Sequence, residues 1–227
     1  MLKISELHVS IGSVAILRGV NLELATGQVA GLIGRNGAGK TTLMRSIMGL
    51  LSPRQGCIEF DGTDLRRMPA HHRASAGIGY MPEDRRLIPE LTVKENILMP
   101  AWATGITDGE ERVKKIYKRI PELEPFASRK ALQLSGGQQK LVALGRAFIC
   151  GTKLLLLDEP FEGVAPALSQ RIAEVIAELK QDGLAVILSE SDLQHSTRML
   201  DRVFRIERGE VSQGDQILKR AGLSPNS

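Results

Sequence analysis

Apolar and polar positions change period several times along the chain, and each change marks an element. Lys3–Val9 and Val20–Leu24 alternate and read as strands, as does Gly56–Phe60 before the turn signal Asp61-Gly62. Between them, Gln28–Ile33 is almost continuously apolar, the mark of a strand buried on both faces. It runs into a glycine-rich segment, after which Lys40–Leu51 takes helical spacing. From about Pro82 to Lys130 the rhythm is broken by prolines 82, 89, 100, 121 and 125, with helical stretches at Val93–Leu98 and Glu110–Ile120. This predicts a small helical insert. Then Gln138–Ile149 (helix), Lys153–Leu157 (strand), Ala167–Gln181 (helix) and Leu184–Leu188 (strand) follow in turn, which predicts parallel strand–helix–strand units. Asp201–Ile206 and Glu210–Ser212, joined at Arg208-Gly209, read as a late hairpin, and polar Ser224–Ser227 as a frayed tail.

A length of 227 residues with 42% apolar content suits one α/β domain with an insert. The expected division is a core of about 1–81 and 131–227 around a helical subdomain of about 82–130. Lys plus Arg number 30 against 26 for Asp plus Glu, and the excess of +4 is scattered, so charge alone implies no nucleic-acid partner. No stretch approaches the eighteen or so apolar residues of a membrane span, and charges interrupt the N-terminus too early for a signal peptide. Any membrane role is therefore expected to be peripheral. Cys57 and Cys150 fit no metal-binding spacing and read as buried thiols.

The segment Gly34-Arg35-Asn36-Gly37-Ala38-Gly39-Lys40-Thr41, followed by Thr42, fits the phosphate-binding loop pattern between a strand and a helix. Gly34, Gly37 and Gly39 are expected to let the backbone wrap phosphate oxygens, aided by the positive end of the following helix. Lys40 would add a mobile charge for the β- and γ-phosphates, and the Thr41 hydroxyl is placed to ligate Mg²⁺. A second candidate cluster ends the strand Leu154–Leu157, where Asp158 and Glu159 precede Pro160. Parallel strands present their C-terminal ends to ligand, so Asp158 would hold Mg²⁺ and Glu159 would act as general base or water-orienting group.

A third segment, Leu134-Ser135-Gly136-Gly137-Gln138-Gln139, opens a predicted helix with a hydroxyl and bare N–H groups. Alone it is an ordinary helix cap. Beside a phosphate loop it is a second anion site, which makes sense if two chains sandwich each nucleotide.

With these segments the chain resembles the ABC ATPase family along essentially its whole length, and more closely is similar to the ATP-binding subunits of branched-chain amino-acid importers. Further resemblance lies in Gly77–Arg86, Leu91–Asn96 and Asp158–Pro166, whose Ala165-Pro166 ending is typical of that group. The resemblance implies a P-loop α/β core with an N-terminal antiparallel β-subdomain and a helical insert, hydrolysing Mg-ATP at a dimer interface. It implies a second ATPase subunit, identical or not, integral-membrane permease subunits and a periplasmic or extracellular solute-binding protein. The place would be the cytoplasmic face of the plasma membrane, and the solutes branched-chain amino acids or related amides or urea. A non-transport ABC ATPase acting on ribosomes or DNA is the rival; such proteins commonly carry two cassettes or basic extensions.

Departures from the family pattern are expected to matter. The residue placed to cover adenine is Ile11, where an aromatic is usual. The Mg²⁺-sensing loop glutamine is Glu83, the switch histidine is Ser191, and the aspartate after the acidic pair is Ala165. His195 lies about one helical turn beyond Ser191, about 5 Å, and is not expected to replace it. Arg85-Arg86 reads equally as a solvated pair or a membrane-subunit contact. His71-His72 reads as a solvated helix face and Trp102 as packing in or on the insert.

Overall fold

The computed structural model describes residues 1–193 and 196–214. In chain order the strands are β1 (Leu2–Ile11), β2 (Val14–Leu24), β3 (Val29–Ile33), β4 (Gln55–Phe60), β5 (Thr63–Asp64), β6 (Ile78–Met81), β7 (Leu154–Leu157), β8 (Ala185–Glu190), β9 (Arg202–Glu207) and β10 (Glu210–Gln213). The helices are α1 (Lys40–Ile47), α2 (Ala70–Ser75), α3 (Val93–Thr104), α4 (Gly109–Arg119), α5 (Gly136–Cys150) and α6 (Pro166–Gln181). One sheet, β2-β1-β4-β5, is antiparallel; the other runs β10-β9-β3-β8-β7-β6. In the second sheet β9, β3, β8, β7 and β6 are mutually parallel and only β10 turns back, as the hairpin pattern predicts. The expected P-loop α/β architecture with an antiparallel N-terminal sheet is what forms. The tail Ser224–Ser227 lies outside the described residues.

The parallel sheet divides the apolar residues into two cores. Leu155 and Leu157 of β7 face one cluster and Leu154 and Leu156 the other, as alternation along a strand requires. The first cluster also holds Val93 and Ile97 of α3, Val113 and Ile116 of α4, Val142 of α5 and Val175 of α6. The insert helices therefore have no core of their own; they share one with α5 and the sheet. The second cluster joins the sheet to α1 and to the β1, β2 and β4 strands.

Several elements differ from the sequence pattern; α3, for one, runs past the expected Leu98 to Thr104 with Pro100 inside it. The helix expected over Lys40–Leu51 stops at Ile47. Gly49 takes φ 73, and Leu50 and Gly49 donate N–H to Arg45 O (2.9 Å) and Ser46 O (3.1 Å), a closed C-terminal turn that the apolar period does not register. β2 begins at Val14, since the hairpin extends the pairing to Ile11↔Val14. Four-residue β6 shows no clear alternation because it is buried between β7 and the helices. Cys150 is buried, whereas Cys57 is only half-buried.

Arg73, next to the two histidines on α2, is 4% exposed and was not singled out by pattern. Its guanidinium donates to Ser46 O (2.9 Å) and Ile47 O (2.6 Å) at the end of α1, and to Leu65 O (2.5 Å) and Met68 O (3.2 Å). It thereby ties the helix behind the phosphate loop to the β-subdomain. Arg73→Leu keeps the apolar bulk but orphans these carbonyls. The expected loss is about 3 kcal/mol, read by urea unfolding at neutral pH; a loss below about 1 kcal/mol contradicts this role.

Candidate functional site

Register places the candidate residues. β3 pairs with β8 up to Ile33↔Glu190, β8 with β7 up to Leu157↔Leu188, and β7 with β6 up to Leu157↔Met81. The segments that follow these four strands leave the sheet at one edge, bringing together the loop from Gly34, Ser189–Ser191, Asp158-Glu159 and Glu83.

The loop has the conformation its glycines allow. Gly37 and Gly39 take φ 81 and 116, in the region that favours glycine. Gly34 has a requirement beyond the one expected. A Cβ there would run into the Ile206 carbonyl of β9, so this glycine serves close packing. The first helical bond reaches from the Leu43 N–H to Gly39 O (2.9 Å), which leaves the amides of Lys40, Thr41 and Thr42 at the open end of α1. Such an end attracts phosphate.

Lys40 is 6% exposed. Its ammonium donates to Gly34 O (2.5 Å) and Arg35 O (3.3 Å) and pairs with Glu159 Oε1 at 3.0 Å. The Ser191 hydroxyl lies 3.2 Å from the same Glu159 oxygen and 3.1 Å from Asn36 Oδ1. Its single proton serves one of these acceptors at a time. Ser191 thus bridges the phosphate loop and Glu159. A cleft of about 700 Å³ opens beside the loop, lined among others by Asn36, Ser191, Arg205 and Arg208.

Asp158 is fully buried. Its Oδ1 accepts the Ser189 hydroxyl (2.7 Å) and its Oδ2 lies 3.4 Å from the Tyr80 hydroxyl. Burial, and then the Asp158 charge, push the Tyr80 phenol above its usual range. Glu159 is one of few non-glycine residues with positive φ, at 48, a conformation that costs about 1–2 kcal/mol. Its N–H donates to Ser189 Oγ (2.9 Å), and its carbonyl accepts from Lys140 Nζ (2.7 Å), which also reaches Glu162 O (2.7 Å). Desolvation, then the fields of Glu162, Asp158 and Glu159, raise the Glu83 carboxyl above the ordinary range.

This acidic edge fits Mg²⁺ in a particular way. Among the described residues no three His, Cys, Asp or Glu side chains form a metal cage. Thr41, Asp158 and Glu83 are hard oxygen donors, and Mg²⁺ ordinarily takes its remaining ligands from phosphate and water.

Ser135 caps α5. Its oxygen accepts the Gln138 N–H (3.3 Å), and its own N–H donates to Gln138 Oε1 (2.9 Å). Among the described residues no hydrogen bond joins Ser135, Gly136, Gly137 or Gln138 to the phosphate loop. Ser135 and Gly136 are exposed, and Arg85 Nη1 donates to Gly136 O (3.0 Å). Arg86 instead pairs with Asp84 at the surface. Ile11 stands at the tip of the β1–β2 hairpin, 50% exposed, and does not line the cleft. The structure therefore gathers Gly34–Thr42, Glu83, Asp158, Glu159 and Ser191, and leaves Ser135–Gln138 and Ile11 apart. His195 lies outside the described residues.

Ser189, Lys140 and Tyr80 were missed by sequence reasoning. The available signal was a polar residue inside an apolar strand, and a lysine at a core position of the α5 period.

The ABC transporter family model matches residues 17–162. The chain belongs to the ABC transporter family. This ABC chain is an ATPase. It is 34% identical to the high-affinity branched-chain amino acid transport ATP-binding protein BraG of Pseudomonas aeruginosa, over 95% of this chain and 92% of that one. It is 33% identical to the lipopolysaccharide export system ATP-binding protein LptB of Haemophilus influenzae, over 86% of this chain and 82% of that one. A dimeric, post-hydrolysis ATP-binding cassette bound to ADP and phosphate superposes with a TM-score of 0.84 at 28% identity, covering 93% of this chain and 97% of that one. No helix among the described residues of this ABC ATPase is long and apolar enough to cross a membrane.

Glu190 is expected to make the folding stability of the ATPase depend on pH. It is 4% exposed, accepts the Ser196 hydroxyl, and burial pushes its carboxyl up to about 7. The Glu159 and Asp192 charges push the same way. Between its ordinary range near 4.5 and about 7 the folded chain keeps a proton that the unfolded chain has lost, so this group makes stability fall as pH rises through that window. Glu190→Gln has no such term. In urea unfolding, the stability of Glu190→Gln relative to wild type is expected to rise between pH 5 and pH 8; a constant difference contradicts it.

Proposed function

We propose that this ATPase powers an importer of branched-chain amino acids or related small amides or urea. It would lie on the cytoplasmic face of the plasma membrane beneath integral-membrane permease subunits, served by a periplasmic or extracellular solute-binding protein. The observation that carries the import reading is the match to the branched-chain amino acid relative along nearly the full length of both chains. A membrane partner is also supported by one surface feature. An apolar groove of about 270 Å³ between the sheet and the insert is lined by Met48, Leu50, Tyr80, Met99 and Pro100 with Arg86 at its side. Export remains a second reading, because the lipopolysaccharide relative is 33% identical. Ribosome or DNA action finds no supporting feature in the scattered charge.

The chemistry follows from the Lys40–Glu159 pair. Triphosphate oxygens carry more charge than the Gly34 and Arg35 carbonyls and would draw Lys40 to the β- and γ-phosphates. Glu159, released from Lys40, would orient and deprotonate the attacking water. Gly34–Lys40 would wrap the phosphates, with Thr42 in the same helix turn. Thr41, Asp158 and Glu83 would hold Mg²⁺, which when bound neutralises phosphate charge. Ile11, exposed at the hairpin tip, would cover adenine apolarly from outside the cleft. Ser135, Gly136, Gly137 and Gln138 would meet the nucleotide of a second ATPase subunit in a homo- or heterodimer.

Glu159→Gln should keep Mg-ATP binding and lose at least about 100-fold in hydrolysis, while Lys40→Ala weakens ATP binding itself. Wild-type turnover in Glu159→Gln would overturn the assignment. For the transport reading, the tagged chain is purified from detergent-solubilised membranes and its complex reconstituted. ATPase stimulation by solute-binding protein loaded with a branched-chain amino acid supports import; stimulation by lipopolysaccharide alone favours export.

Ser191 supplies one short-range neutral hydrogen bond where an imidazole could also carry charge. Hydrolysis at this chain's own phosphate loop should therefore be slow, and Ser191→His should raise kcat in a steady-state phosphate-release assay. No gain, together with loss of activity in His195→Ala, would assign the switch role to His195.

A further inference from the structure

The turn at Glu159 is closed from outside its own motif. Its Cα lies between two peptide groups, and a side chain from another element grips each side. On the N-terminal side, the Glu159 N–H donates to Ser189 Oγ of β8 at 2.9 Å. On the C-terminal side, the Glu159 carbonyl accepts from Lys140 Nζ of α5 at 2.7 Å. The residue between them has φ 48, which an unrestrained glutamate leaves for the right-handed or extended regions. Ser189 is fully buried and Lys140 is 4% exposed, so water replaces neither grip. The Ser189 hydroxyl is used twice, since its proton goes to Asp158 Oδ1 at 2.7 Å. One hydroxyl therefore fixes both the carboxylate of Asp158 and the backbone of Glu159.

We infer that Ser189 and Lys140 are positioning residues for hydrolysis, which hold Glu159 in a left-handed turn so that its carboxylate faces Lys40 and Ser191. This rests on the reading of Glu159 as the group that acts on water. Without either grip the turn relaxes and the carboxylate swings away from Ser191, 3.2 Å distant in the closed turn. The phosphate loop uses neither grip. Its entry is held by the Gly34 N–H donating to the Glu190 carbonyl at 3.1 Å, and Lys40 donates to loop carbonyls. Turnover and binding should therefore separate.

The test is steady-state hydrolysis of Mg-ATP by the full-length chain, with Ser189→Ala and Lys140→Met assayed beside Glu159→Gln at a temperature where all are folded. Each clamp variant is expected to lose about tenfold in kcat, about 1.4 kcal/mol, and Lys140→Met, which leaves Asp158 untouched, to keep KM for Mg-ATP within about twofold of wild type. Should Ser189→Ala fail to fold, Lys140→Met carries the test, because it removes the opposite grip. If Glu159→Gln is inactive while both foldable clamp variants turn over like wild type, the clamp is wrong, even if their melting temperatures fall. A rise in KM with unchanged kcat in Lys140→Met overturns it too, since that places the grip in binding. If Glu159→Gln itself hydrolyses ATP normally, the reading of Glu159 fails and the clamp falls with it.

Discussion

Parallel pairing of β3, β8 and β7 is the constraint on which the rest depends. It sets Glu190 beside Ile33 and Leu188 beside Leu157, so the phosphate loop, the serines after Leu188 and the acidic pair emerge side by side. Ser189 and Ser191 are two residues apart and both reach the acidic pair, one to Asp158 and the Glu159 backbone, the other to the Glu159 carboxylate. A slip of one residue in this register would turn both away.

That edge is costly to build. Asp158, Glu159 and Glu190 are buried there, and among their near partners Lys40 and Lys140 supply the positive charge. Buried ion pairs seldom repay their desolvation, and a left-handed glutamate adds strain. The stabilising burial lies elsewhere, in the two apolar clusters that flank the sheet. The candidate site is thus carried by a scaffold whose apolar burial lies to either side of it, with Arg73 tying the base of α1 to the β-subdomain.

Much of this was legible in the sequence. Gly37, Gly39, Lys40 and Thr41 follow the phosphate-loop pattern, and the structure puts them between β3 and α1 as that pattern predicts; Asp158-Glu159 stand at the end of an apolar strand. The helix after the loop was read too long because Leu50 and Leu51 extend its apolar period past the Gly49 turn. Gly34 was read as a phosphate wrapper; its close approach to β9, over 170 residues away, is a second requirement to which no local pattern points. Ser189 and Lys140 were invisible for the same cause: their partners are 30 and 19 residues distant, and only strand order and helix packing bring them to Glu159. The position of Ile11, outside the cleft, likewise depends on where the hairpin tip folds.

The shared core of the insert has a mechanical consequence. Val93, Ile97, Val113 and Ile116 pack in the same cluster as α5, so α3 and α4 cannot shift without exposing apolar surface unless α5 travels with them. The 15 residues of α5 make a rod about 22 Å long with Ser135 at its tip. A tilt of about 5° moves that tip by about 2 Å, more than the length tolerance of a hydrogen bond. Force applied to the insert is in this way converted into displacement at Ser135, with the helix as its lever.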